Sequence, residues 1–427
     1  MYISQQIAAI AVSQVLSGRN LTLALPDAQK QFASATPQQR GAAADLSYGT
    51  LRFYGELEIY LNQLLEKPLA DGRVHALLLV ALYQLLHDRA DDFTIVNQAV
   101  KAASYAKPKW AKGLVNGVLR NFLRQQDALK EKLKVNEVAQ YSYPQWWIDK
   151  VKTQYPNDWQ NILSIGNQHP PMTLRVNHKK ITAQEYVQLL SRQDIAATQE
   201  GDCAVMLNHA LPVEKIPGFS EGVVSVQDLG AQLVPSILDL QDGMQVLDAC
   251  CAPGGKTGHI LETANVQLTA LDNDETRLAR VQSNLSRLNF KADLKVGDAA
   301  TWHHNQLFER ILADVPCSAS GIVRRHVDIK WLRREADIVS FVQQQSAILL
   351  NLWQLLAKGG KLLYVTCSIF NEENQQQIDQ FLKTHQDAVQ VPIDFNLLQQ
   401  GSLMCINGQL VPSTRHDGLF YALLQKN

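Results

Sequence analysis

The sequence predicts an α/β protein: a Rossmann-like, doubly wound parallel sheet in the C-terminal half, preceded by an all-α helical domain and a small mixed α/β subdomain. Three observations carry this. From about Gln227 onward, short apolar runs alternate with helical stretches. Through the first 140 residues, apolar side chains recur at helical spacing. Between the two lies an aromatic, proline-punctuated stretch that follows neither pattern.

Residues 1–140 read as a short helical bundle. Segments such as VHALLLVALYQLLHD and LVNGVLRNFLRQ carry apolar residues at i, i+3, i+4 and i+7, Ala and Leu dominate, and strand signals are scarce. The start, MYISQQIAAIAVSQVLSG, has the same helical spacing and lacks the basic opening and small-residue cleavage site of a secretory signal. Residues 141–225 form the linker and small α/β subdomain. SYPQWWIDKVKTQYPNDW opens it, Pro170-Pro171 cannot sit within a helix, and TLRVN alternates as a strand does.

Residues 226–427 hold the candidate site. The runs QVLDAC, QLTALD, ADLKVGD, RILADVP and KLLYVTCS are strand-like, and each ends in polar, glycine or cysteine residues. In a parallel sheet covered on both faces, ligands sit at the carboxyl ends of the strands. The first run enters Asp248-Ala-Cys-Cys-Ala-Pro-Gly-Gly-Lys-Thr257 ahead of a helix. Gly254 and Gly255 allow close backbone approach, and a helix start offers free N–H groups. A phosphate loop would need glycine where Cys250 stands, and the dinucleotide fingerprint GxGxxG is absent. Asp272 ends the second strand, where a carboxylate can accept both ribose hydroxyls; Asp298 ends the third, where one could accept from an adenine amino group.

The fourth and fifth strands end in Ala313-Asp-Val-Pro-Cys-Ser318 and Tyr364-Val-Thr-Cys-Ser368. A buried cysteine is ordinarily a small apolar residue. Two of them at strand ends beside Asp314 and a ligand loop point instead to thiol chemistry, and methylation of cytosine at carbon 5 accounts for the pair. Carbon 5 is a poor nucleophile until a thiolate adds at carbon 6, with a carboxyl sharing a proton at ring N3. A base must then remove the carbon 5 proton so that the enzyme departs.

Charge bears on partners. A net charge of −1 argues weakly against nucleic acid, yet Lys101 to Lys134 holds nine basic residues against Asp127 and Glu131. Arg324, Arg325, Lys330, Arg333 and Arg334 make a second basic cluster. Each is a solvated helix face or a phosphate contact, and the latter needs only local charge.

DACCAPGGKT, ADVPCSASG and YVTCSI together resemble the RNA cytosine-C5 methyltransferases of the NOL1/NOP2/Sun family, and Arg415-His-Asp-Gly-Leu-Phe-Tyr421 resembles that family's closing motif. The helical part is similar to a NusB-like RNA-binding domain, a combination found in the family's bacterial 16S ribosomal RNA branch. The resemblance spans nearly the whole chain. It implies that Cys367 is the nucleophile and that Cys317 promotes product release. DNA cytosine methyltransferases attack from the P-C motif, so Cys367 favours RNA. It further implies cofactor contacts by Cys250, Cys251, Ala252, Pro253, Gly254, Gly255 and Lys256, and by Asp272, Asp298 and Asp314. The cofactor would be S-adenosyl-L-methionine, leaving S-adenosyl-L-homocysteine. Cys250-Cys251 departs from the family, where cysteine is usually followed by alanine.

The expected partner is 16S ribosomal RNA, free or in early assembly, bound by a monomer. Alternatives are a cytosine-C5 methyltransferase acting on transfer RNA or another RNA, and a non-catalytic antitermination factor, which would not need two strand-end cysteines. No metal is expected, since adjacent cysteines lack zinc-site spacing. With no apolar run of about 18 residues and six cysteines in no disulfide pattern, a cytoplasmic, reduced setting away from membranes is expected.

Overall fold

A computed structural model of the chain describes residues 1–87, 90–104, 110–394 and 405–427. Its packing resolves into two units, Met1–Gln168 with Val323–Glu335, and His169–Ile322 with Ala336–Asn427. The helices Gln145–Gln154 and Trp159–Gly166 pack with the first unit, where Trp147, Ile148, Val151 and Leu163 are buried.

The first unit is helical, as the periodicity requires. The helix Gly72–His87 is apolar on most sides and fully buries Leu78, Leu79, Val80 and Leu82 at its centre. Pro37–Arg52 starts with a capping box: the Thr36 hydroxyl accepts from Gln39 N, and the Gln39 side chain accepts from Thr36 N. Along Ala111–Leu133, Val115, Leu119 and Phe122 face the core and Phe122 meets Tyr60 edge-on, with ring centroids 5.7 Å apart. Lys101, Lys112, Arg120, Arg124, Lys130, Lys132 and Lys134 are all exposed, whereas Lys107 and Lys109 lie outside the described residues.

Two of the five residues of the second basic cluster do not lie on a solvated face. Lys330 and Arg324 are fully buried. The Lys330 ammonium donates to the carbonyls of Arg52 and Ser142 and to Asn167 Oδ1, at 2.7–2.8 Å, and lies 4.3 Å from the Tyr143 ring centroid. Burial, reinforced by the charge of Arg52, pushes its pKa well below the usual lysine value. Residues Val323–Glu335 belong to the first unit, where Val327 joins the hydrophobic core. A lysine there anchors the segment through hydrogen bonds and cannot reach a phosphate.

The second unit holds two sheets. Strands β1 (Met172–Val176), β2 (Ala197–Gln199), β3 (Ala204–Leu207) and β4 (Val224–Val226) form an antiparallel sheet in the order β2-β3-β1-β4. In the large sheet, β5 (Gln245–Ala249), β6 (Gln267–Asp272), β7 (Asp293–Val296), β8 (Phe308–Asp314) and β9 (Leu356–Thr366) run parallel in the order β9-β8-β5-β6-β7. Successive strand residues serve opposite cores: Leu247, Ile311 and Tyr364 pack on one face, Val246, Leu312 and Leu363 on the other.

The sheet is mixed rather than purely parallel. β10 (Ala388–Val391), β11 (Cys405–Ile406), β12 (Gln409–Leu410) and β13 (Leu419–Lys426) complete it, with β13 antiparallel to β9. An antiparallel partner needs no crossover helix, so nothing in the helix–strand alternation announces it. Strand order reverses between β5 and β8, which opens the ligand crevice of such sheets at their carboxyl ends. Among the described residues, no helix is long and apolar enough to cross a membrane.

Candidate active site

The loop after β5 turns sharply. Cys250 has φ +65° and Gly254 has φ +95°, immediately before the helix Gly255–Thr263. A side chain at Gly254 would be strained by that φ and would meet Val281 at 3.1 Å, whereas one at Gly255 would meet nothing within 4 Å. The geometric demand for glycine therefore falls on Gly254. At the end of β6, the buried Asp272 carboxylate accepts from Ala252 N at 3.1 Å and from Asp274 N at 3.2 Å, and Arg277 lies 3.4 Å away. Asp272 thus shapes the loop as well as facing the cavity beside it. Asp248 is fully buried; Thr257 Oγ1 donates to its Oδ2 at 2.6 Å, while Oδ1 has no partner. Burial raises its carboxyl to about 7, with the charges of Asp314 and Asp272 adding to the effect and the Thr257 hydrogen bond opposing it.

One cavity at the strand ends is lined by Cys250, Ala252, Asp272, Asp298, Asp314, Cys317 and Cys367, all singled out from sequence, together with Asn273, Arg277, Gln344 and Ile348, which were not. Cys251, Pro253, Gly254, Gly255 and Lys256 do not line it. Cys251 packs into the core behind the loop, Gly254 makes the turn, and Lys256 donates to Asp314 Oδ2 at 2.6 Å. Burial lowers the Lys256 pKa, but the Asp314 carboxylate outweighs it and raises the ammonium above its usual value. Asp298 is exposed and accepts from Ala300 N at 2.9 Å, so it closes a turn at the cavity rim. The three carboxylates in this lining, its acidic wall, suit a ligand that carries hydroxyls and a positive charge.

Cys317 and Cys367, the cysteine wall of the same cavity, meet with Sγ atoms 3.3 Å apart. The hydrogen bond to Cys367, then burial, then the charges of Cys367 and Glu373 hold the Cys317 thiol well above the usual cysteine value. Lys256 interacts electrostatically with Cys367 as well as with Asp314, so a cation stands near the second sulfur.

A further residue supports the loop from behind. Arg175 on β1 is fully buried and grips Glu262 through Nε and Nη2, at 2.8 and 2.7 Å. Its Nη1 donates to Gly255 O and Gln227 Oε1, both at 2.7 Å. Arg175 stood inside the strand run TLRVN, but its partners are 80 and 87 residues away and no local pattern marks them.

Comparison with known proteins covers most of the chain. Residues 235–425 match the model of the 16S rRNA methyltransferase RsmB/F family, 143–214 an RsmF/B-like ferredoxin-like domain, and 3–124 the NusB family. The chain is similar to the ribosomal RNA small subunit methyltransferase B of Yersinia enterocolitica, 44% identical over 100% of this chain and 99% of that protein. The protein of that name from Yersinia pseudotuberculosis is 43% identical over the same shares. Among solved structures, PH0851 superposes with a TM-score of 0.80 at 23% identity, covering 100% of this chain and 99% of that one. A methyltransferase homologue from Pyrococcus horikoshii gives 0.59 at 24% identity, covering 69% and 98%. These two likenesses establish a shared fold.

Proposed function

Because this chain belongs to the RsmB/F family of 16S rRNA methyltransferases, we propose that it transfers a methyl group from S-adenosylmethionine to carbon 5 of a cytosine in 16S ribosomal RNA. The observation that carries the reading is the 3.3 Å approach of Cys317 and Cys367 in a cavity that Asp272, Asp298 and Asp314 also line. Bound S-adenosylmethionine supplies an electrophilic methyl group on a cationic sulfonium. Asp272 and Asp298 accept from its hydroxyl and amino groups, Cys250 and Ala252 border the same space, and Gly254 makes the turn that shapes the loop.

Cys367 Sγ bonds to carbon 6, and the displaced π electrons make carbon 5 nucleophilic. Asp314, held by Lys256, shares a proton with ring N3 in this scheme. After methylation the carbon 5 proton leaves to a base, the double bond re-forms and the carbon 6–sulfur bond breaks. Cys317 assists that step, since its thiol touches the sulfur that departs. Division of labour follows the chain. Residues 226–427 catalyse, and 141–225 and 1–140 hold RNA, the latter through the exposed basic residues between Lys101 and Lys134. Reversing several of these charges should lower RNA affinity and flatten its salt dependence; an unchanged salt slope would make them a solvated face.

A denaturing gel tests the cysteine assignment. Cys317→Ala should accumulate a protein–RNA adduct, and Cys367→Ala and the double variant should show none. An adduct in Cys367→Ala would reverse the assignment, and one in the double variant would sink the covalent scheme.

A further inference from the structure

Ser318 and Ser368 each directly follow one of the two cysteines, and both are fully buried. Their hydroxyls converge on one carboxylate oxygen, Glu373 Oε2, at 2.5 Å each. The other oxygen, Oε1, accepts from Ser318 N at 2.7 Å and from Gln345 Nε2 at 3.1 Å. Gln345 Nε2 also donates to Pro316 O at 2.9 Å, on the chain just before Cys317. Ser320 Oγ completes the cluster, 3.1 Å from Ser318 Oγ and 3.0 Å from Ser368 Oγ. Tyr364 Oη donates to Glu373 O at 2.8 Å and so fixes the backbone that carries the carboxylate.

A fully buried carboxylate is costly unless its oxygens are filled, and here four donors fill them. What they share is position. Two come from Ser318, one from Ser368 and one from the glutamine that also holds Pro316. Backbone bonds join the loops at their margins, from Val315 N to Val365 O and from Gly321 N to Cys367 O. Between them, the stretch that carries Cys317 is linked to the Cys367 loop by this carboxylate, which takes both serine hydroxyls, and by the 3.1 Å contact of Ser318 Oγ with Ser368 Oγ and the bridging Ser320 hydroxyl.

We propose that Glu373 is a positioning residue for the methyl transfer: by tying Ser318 to Ser368 it sets the separation of Cys317 from Cys367. The inference rests on the reading of these cysteines as the reacting pair. A carboxylate that served stability alone would, when removed, lower the melting temperature and weaken ligand binding and turnover together. A positioning carboxylate acts on turnover with binding intact, because a displacement of about 1 Å at reacting groups costs about 100-fold in rate.

The test compares wild type, Glu373→Ala, Glu373→Gln, Ser318→Ala and Ser368→Ala. Each is assayed for fold by near-ultraviolet circular dichroism, for S-adenosylmethionine affinity by calorimetry, and for methyl transfer to 16S ribosomal RNA. Glu373→Ala should lose about 100-fold in kcat with cofactor affinity within about threefold of wild type. Glu373→Gln keeps an oxygen for Ser318 N and Gln345, and should recover about tenfold of that loss. If Glu373→Ala does not fold, the serine variants decide. Each removes one arm and only a hydroxyl, and each should lower kcat about tenfold, with less than additive loss when combined. Two folded serine variants that turn over within about threefold of wild type would overturn the proposal, as would a fall in kcat matched by an equal fall in cofactor affinity. Turnover does not depend on which cysteine attacks. An error in that assignment shows separately, as absence of the trapped adduct in Cys317→Ala with Glu373 intact; a wild type that transfers no methyl group sinks both.

Discussion

Asp272 and Glu373 are both buried carboxylates at the mouth of one sheet, yet they organise their surroundings over different distances. Asp272 accepts from Ala252 N and Asp274 N, so it closes the ligand loop onto the next strand. Glu373 joins Ser318 to Ser368, loops that lie 50 residues apart in the chain. The ligand loop is thus tied to the strand that follows it in the chain, whereas the cysteine wall exists only when two distant strand ends are brought together. Damage to the first should change how tightly ligand is held, and damage to the second should change chemistry with ligand still bound.

The largest expected effect lies on the cysteine wall. Cys367→Ala should lose about four orders of magnitude in kcat or more, as for other catalytic nucleophiles, with S-adenosylmethionine affinity unchanged by calorimetry. A parallel loss of affinity would show that the two walls are one unit.

Next comes the support behind the acidic wall. Arg175→Met removes one member of a fully buried pair with Glu262 and frees the carbonyl of Gly255. It should cost about 3–5 kcal/mol of stability in urea titration, because an uncompensated charge is left buried. A cost under about 1 kcal/mol would mean that the pair is a replaceable packing element.

Asp248 probes the same wall through pH. Its carboxyl is raised to about 7 in the fold from an ordinary 3.8, chiefly by burial. Its contribution to stability is therefore fully present below 3.8 and is lost as pH rises through 7. Between pH 5 and pH 8 the ligand-free protein should lose about 2–3 kcal/mol from this group, and Asp248→Asn should flatten that slope. Equal slopes for both proteins in thermal melts across this range would remove Asp248 from the account. The smallest effect expected is that of Asp272→Ala, which should weaken S-adenosylmethionine about tenfold with kcat at saturation within about threefold of wild type. A collapse of kcat at saturating cofactor would erase the contrast between the walls.

Much of this site is legible in the chain because its residues end strands. The runs QVLDAC, QLTALD, RILADVP and KLLYVTCS correspond to β5, β6, β8 and β9, and Asp272, Asp314, Cys317 and Cys367 follow from where those runs stop. The same kind of reading misjudged Lys330 and Arg324. Five basic residues within 11 positions look like a phosphate-binding face, and only the packing of Val323–Glu335 with the helical unit puts two of them out of reach of solvent. Lys101 to Lys134 presents a similar density of charge, and there every described basic residue is exposed.

The sequence by itself determined the alternation of strand and helix, the helical bundle before it, and the glycine turn at Gly254, since periodicity and backbone conformation are properties of neighbouring residues. Tertiary structure alone decided that β13 joins β9 antiparallel, that Arg175 reaches Gly255, and that Glu373 binds both serines. It likewise decided that two sulfurs 50 residues apart come within 3.3 Å. Each of these contacts joins residues far apart in the chain, where no local preference acts and the outcome is set by which surfaces the whole fold can bury together.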